Sequence, residues 1–330
     1  MTNTLSDKAS TESNKTCESS LLDKKYKLEK LLGSDSFGEV YKVTEIETQK
    51  SFAAKLFKTN SIQYKYCFQQ EVKFLQKIAE FDITTSVRYY NSGIGTLTKD
   101  GKTELRRYII MEYGSNGDLL SKIEKSNGFS EDVCKYLLFK MIEDVKDLHK
   151  IGISHRDIKP QNFVLVGDEC QLKICDFGLA TYFLKENGKK KLIIKGAGTP
   201  PYIPPEIIRC KPYDGEKFDV FSIGVTLFNL MTKMFPFQIF KNNIEFQQSL
   251  YSLITNHKLD EYWNNIEHHE KMKGKKLSPE FKELFIKMVE YNPKKRIALD
   301  EIMDSEWMKN IKNASEEYLE MLRHKMISEM

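Results

Sequence analysis

The chain has 330 residues, 40% of them hydrophobic, enough to bury most of its apolar surface in about two domains and to exclude a disordered polypeptide. Lys and Arg (51) nearly balance Asp and Glu (47), and the resulting +4 falls short of the basicity of a nucleic-acid-binding chain. The longest apolar stretch, Val220 to Met231, is interrupted by Ser222, Thr226 and Asn229 and is too short for a bilayer, and Thr2 stands where N-myristoylation needs glycine, so no membrane partner is expected.

Residues 1–24 are rich in Ser, Thr, Asn and Lys, with few large apolar side chains before Leu21, and read as a flexible tail without a signal segment. Cys17, Cys67, Cys134, Cys170, Cys175 and Cys210 show no C-x-x-C spacing, which fits a reducing, cytoplasmic setting and leaves nuclear entry open. From Tyr26 to Tyr113 strands dominate. Val40 to Ile46 is rich in β-branched residues, Glu47-Thr48-Gln49-Lys50 reads as a turn, and Phe52 to Phe57 follows as the next strand. One helix interrupts them, with Phe68, Val72, Leu75 and Ala79 at helical spacing and Glu71 bordering that apolar face.

Beyond Gly114 the period becomes helical. Ser130 is placed to cap a helix that opens on Glu131 and Asp132, carries Cys134, Leu137, Leu138, Met141, Val145 and Leu148 as its stripe, and stops at Gly152. Val220 to Met231 reads as a buried core helix, and Ser278-Pro279-Glu280 opens a later one.

Four segments carry chemistry. Gly33-Ser34-Asp35-Ser36-Phe37-Gly38-Glu39-Val40 approaches the pattern G-x-G-x-x-G-x-V, whose backbone amides cover nucleotide phosphates, with Asp35 in place of the middle glycine. A plain hairpin turn is the alternative; a dinucleotide-binding turn is not, because strands rather than a helix follow. Lys55 lies after two alanines, His155-Arg156-Asp157-Ile158-Lys159-Pro160-Gln161-Asn162 matches a catalytic loop, and Asp176-Phe177-Gly178 follows it.

Over about residues 26–310 the chain thus resembles the eukaryotic protein kinases of serine/threonine type, and more loosely their calcium/calmodulin-dependent group; an EF-hand calcium loop is absent from the sequence. The resemblance implies an α+β, bilobal fold, with a sheet-rich N-lobe (25–113), a larger helical C-lobe (114–310) and a C-terminal helical tail (311–330). It implies phosphoryl transfer from ATP with Mg²⁺, or Mn²⁺, to Ser/Thr hydroxyls of protein substrates. Asp157 would take the hydroxyl proton, Lys159 would neutralise the moving phosphoryl group, and Lys55, held by Glu71, would pair with the phosphates. Asn162 and Asp176 would be the metal ligands. Gly33, Ser34, Asp35, Gly38, Val40, Ala53, Met111, Glu112, Tyr113, Asp118 and Val164 would line the ATP site, Met111 as gatekeeper, Glu112 and Tyr113 as hinge, and Asp118 at the ribose.

By the same resemblance Glu206 should pair with Arg296, and Asp219 should anchor the catalytic loop, with Phe221 in place of the usual tryptophan. Leu75, Tyr89, His155 and Phe177 should form a hydrophobic column. Cys175 reads as inert packing or as a reactive thiol. A pseudokinase scaffold is supported by Asp35 alone, and a small-molecule phosphotransferase conflicts with the peptide-docking segment Thr199 to Glu206.

Two expectations concern regulation and specificity. Arg156 is where many kinases bind an activation-segment phosphate, yet Lys195 occupies the usual acceptor position, and only Thr181 and Tyr182 carry hydroxyls between Gly178 and Thr199; Glu186 or a partner would then supply the charge. Gln161 and Asn229 replace carboxylates of arginine-directed kinases, while Lys189, Lys190, Lys191 and Lys195 favour acidic substrates or form a solvated loop. The mixed charges of the tail suggest a packed or solvated helix rather than a calmodulin target.

Overall fold

The computed structural model describes residues 20–58, 61–99, 101–237, 249–272 and 274–330. Its N-lobe is a closed sheet in the order β1-β2-β3-β4-β6-β5. The strands are β1 (Leu21–Leu22), β2 (Tyr26–Ser34), β3 (Gly38–Glu45), β4 (Ser51–Phe57), β5 (Tyr89–Lys99) and β6 (Lys102–Met111), with helix α1 (Ile62–Glu80) between β4 and β5. Alternation sets which face is buried: Tyr41 and Val43 of β3 and Tyr26 and Leu28 of β2 point into a small core with Leu56 and Ile110. Ser61 starts α1, its hydroxyl accepting from the Tyr64 amide, and Glu71, Phe74, Leu75 and Ile78 form its buried face.

The tail expected over 1–24 ends earlier than the sequence suggested. Leu22 is fully buried, β1 pairs with both β2 and β5, and the Asp23 carboxylate accepts from the Thr96 amide at 2.9 Å. Two leucines suffice because they close the sheet between β2 and β5 while Leu22 also enters the core. Residues 1–19, Cys17 among them, lie outside the described residues.

The C-lobe contains helices α2 (Leu119–Lys125) and α3 (Glu131–Lys150), strands β7 (Ile153–Ser154), β8 (Phe163–Val166), β9 (Gln171–Ile174) and β10 (Thr181–Tyr182), then helices α4 (Pro205–Ile208) and α5 (Gly215–Thr232). It continues with α6 (Leu250–Thr255), α7 (Leu259–Glu267), α8 (Pro279–Met288), α9 (Leu299–Met303), α10 (Lys309–Lys312) and α11 (Glu316–Glu329). Ser130 and Ser278 cap α3 and α8 as expected. Helix α5 is buried on all sides from Phe218 to Thr232, which its apolar run predicts, and Asp214 caps it by accepting from the Glu216 and Lys217 amides. Among the described residues no helix is long and apolar enough to cross a membrane.

The tail helix α11 is packed rather than solvated. Leu322 and Met326 are buried, Lys325 reaches Asp132 at 2.7 Å, and Glu329 accepts from the Ser130 amide at 2.8 Å. It therefore lies along α3, where Ser130 is already the cap.

Candidate active site

The glycine-rich hairpin joins β2 and β3, with Gly33 opposite Val40 and Ser34 opposite Glu39. Gly38 is required there, because a Cβ would meet the Leu56 carbonyl oxygen at 2.4 Å. Asp35 does not project freely: one carboxylate oxygen accepts from the Phe37 amide at 2.7 Å and the Gly38 amide at 2.6 Å. Its other oxygen stands 3.5 Å from the Lys55 ammonium.

Beneath the hairpin, Lys55 on β4 reaches Glu71 of α1 at 2.9 Å and Asp176 at 2.8 Å. Lys55 and Glu71 are nearly fully buried. Burial pushes the Glu71 carboxyl up to about 7 even though Lys55 opposes it. Burial would raise Asp176 too, but there Lys55 prevails and holds the carboxyl down at about 2. Phe177 stacks edge-on to His155, ring centroids 5.2 Å apart, and Leu75 is buried and Tyr89 packed on the large core that includes Phe177.

The catalytic loop between β7 and β8 is strained and clamped. Arg156 in this loop and Asp176, which follows β9, both have φ 63, a left-handed conformation costly for a side-chain-bearing residue. Buried Asp219 on α5 holds the first of them, its two oxygens accepting from the His155 amide at 3.1 Å and the Arg156 amide at 2.8 Å. Asp157 is thereby presented to Lys159, whose ammonium reaches it at 2.8 Å and also donates to the Thr199 hydroxyl at 2.8 Å. Thr199 in turn donates to Asp157 at 2.6 Å. The Asn162 amide nitrogen donates to Asp157, to the main-chain oxygen at 2.7 Å and to the side chain at 3.0 Å, which leaves its carbonyl oxygen as the end available to a cation.

Arg156 is satisfied by neutral acceptors. Its guanidinium donates to the carbonyls of Leu179 and Lys195 and to the Tyr213 hydroxyl, each at 2.8 Å, and Tyr213 itself donates to Lys195 O. Glu186 is exposed, and the expectation that its carboxylate meets Arg156 is replaced by these carbonyls. Glu206 and Arg296 form the expected pair, bidentate at 2.8 Å and 3.0 Å.

Over residues 26–308 the chain matches the family model described as a protein kinase domain. The chain belongs to the protein kinase family. It is 31% identical over 294 residues to a rice (Oryza sativa subsp. japonica) protein named CBL-interacting protein kinase 30, covering 88% of this chain and 55% of that one. It is 29% identical over 314 residues to the CBL-interacting serine/threonine-protein kinase 16 of Arabidopsis thaliana, covering 90% of this chain and 59% of that one. The chain thus spans little more than half the length of these relatives.

In this kinase fold several of the remaining expected residues are neighbours across the strands. Ala53 pairs with Met111 across β4 and β6, and Val40 pairs with Lys55. Glu112 accepts from the Arg88 amide at 3.0 Å and from Lys173 at 2.9 Å, with Tyr113 next to it under the Lys42 ammonium. Asp118 bridges to Val164, but one of its oxygens caps α2 by accepting from the Ser121 amide at 2.8 Å. Three residues at the site were not singled out for a role. Gly114 is a glycine because a Cβ would meet Val164 at 2.8 Å; Thr199 was legible only as the start of a docking segment; Tyr213 gave no local signal.

Two further expectations change in weight. Burial raises the Cys175 thiol above its ordinary value, which favours inert packing. Lys190 is paired with Glu216 and Lys195 lies 5.7 Å from the Tyr66 ring centroid, so the activation segment offers fewer uncommitted cations than its sequence implies.

Proposed function

We propose that the chain is a serine/threonine protein kinase that transfers the γ-phosphoryl group of ATP to a protein hydroxyl. The observation that carries this reading is the joint engagement of Lys55 by Glu71 and Asp176 above an Asp157 already bonded to Lys159 and Thr199. In this reading Lys55 pairs with the nucleotide phosphates, Val40, Ala53 and Val164 enclose the adenine, and Asp157 orients the acceptor hydroxyl and takes its proton. Lys159 offsets charge on the transferring group, and Thr199 fixes both side chains.

The oxygens of Asn162 and Asp176 suit Mg²⁺, which when bound would neutralise the phosphates. Among the described residues no group of three His, Cys, Asp or Glu could hold a metal alone, so such a cation would draw its remaining ligands from nucleotide and water. The pseudokinase alternative rested on Asp35, and every other expected catalytic side chain lies within bonding reach of its partner. The test is radiolabel transfer from γ-labelled ATP to the chain itself and to a generic protein substrate. Transfer with Mg²⁺ that stops on chelation supports the reading, and no transfer with either substrate overturns it.

A further inference from the structure

The middle position of a glycine-rich loop holds glycine so that backbone amides can approach phosphate without a side chain between them. Here that position carries a carboxylate, and the structure shows where the carboxylate goes. One Asp35 oxygen accepts from the Phe37 and Gly38 amides at 2.7 and 2.6 Å, and the other lies 3.5 Å from Lys55. Two adjacent amides and a buried ammonium are the donor set that would receive a phosphate.

The arrangement is closed by the Asp35 amide donating to Gly38 O at 2.9 Å and by Lys58 donating to Asp35 O at 2.7 Å. Position 38 must stay glycine, since a Cβ there would meet the Leu56 carbonyl oxygen. Lys55 therefore faces three carboxylates, from Asp35, Glu71 and Asp176, before any nucleotide arrives. Of these, Glu71 and Asp176 belong to the catalytic arrangement itself. Asp35 is the one that a glycine would remove, and its side chain, 35% exposed at a hairpin tip, has solvent on its outer side to receive it once its hydrogen bonds are exchanged.

We propose that Asp35 is an internal occupant of the nucleotide-phosphate site, displaced when ATP binds, so that it lowers affinity for phosphorylated nucleotides and not for the nucleoside. The inference rests on the kinase reading above. Asp35 thus sets how much of the binding comes from phosphate and how much from adenine and ribose. Displacement exchanges two charge-assisted hydrogen bonds of the carboxylate for those of phosphate, so only the surplus appears as affinity.

The test is calorimetric titration of the full chain, wild type, Asp35→Gly and Asp35→Asn, with adenosine, ADP and ATP in the presence of Mg²⁺. Asp35→Gly is expected to tighten ATP by about tenfold at low salt, with a smaller gain at high salt, and to leave adenosine unchanged. Asp35→Asn keeps an oxygen for the two amides but loses the charge, and should fall between. Equal ATP affinity in all three proteins, or a gain of the same size for adenosine, overturns the inference and leaves the kinase reading standing. Absence of saturable ATP binding in all three overturns the reading on which it rests.

Discussion

At the residue scale, Asp157 and Glu71 behave differently for reasons of environment. Asp157 is surrounded by donors from Lys159, Thr199 and Asn162, so Asp157→Asn keeps the shape but removes the proton acceptor. Phosphotransfer should fall by roughly 10²–10⁴-fold with ATP affinity nearly unchanged, as measured by turnover and by nucleotide titration. Glu71, by contrast, is raised to about 7 by burial. Near pH 6 it is neutral and Lys55 is left to Asp176, which stays ionised; above 7 the Glu71 charge holds Lys55 in place. kcat/KM for ATP should therefore rise with pH through about 7. In Glu71→Gln that limb should be flat and low. The stability linkage has the opposite sign. Between the ordinary glutamate value and the raised one the folded chain holds a proton that the unfolded chain has lost, so this group's contribution declines as pH rises through that window.

At the scale of elements, the activation segment is tied down without phosphate. Arg156 joins the start of the segment (Leu179 O), its later part (Lys195 O) and Tyr213, the residue just before the α5 cap. The chain should thus be active when residues 178–199 are unmodified. Bacterial expression, phosphatase treatment, mass spectrometry of that segment and a turnover assay check this, and loss of most activity would instead assign the switch to Thr181 or Tyr182. Tyr213→Phe removes one acceptor from a buried guanidinium and should cost about 1–3 kcal/mol of stability, with kcat falling more than KM for ATP is altered. Restored activity in a Tyr213→Phe protein with phosphate engineered at position 195 would show that charge and hydroxyl serve the same end.

At the scale of the whole molecule, distant parts of the C-lobe meet in buried contacts. Glu206 and Arg296 are buried and bidentate, so Glu206→Ala, which strands the arginine, should destabilise by about 3–5 kcal/mol in a denaturant titration. The tail helix contributes through Leu322 and Met326, and Met326→Ala should cost about 2–5 kcal/mol if α11 unfolds together with α3. The residues proposed for catalysis and metal binding were singled out in the sequence because short stretches of chain carry them: His155 to Asn162 and Asp176 to Gly178 keep their motifs in local order. The capped helices were legible for the same reason, since Ser130 and Ser278 act within one turn. Tertiary structure decided the charge partners that no motif names. The approach of Asp35 to Lys55, the neutral acceptors of Arg156, the burial that separates Glu71 from Asp176, and the docking of Leu22 and α11 all depend on groups far apart in the chain, whose encounter no local pattern encodes.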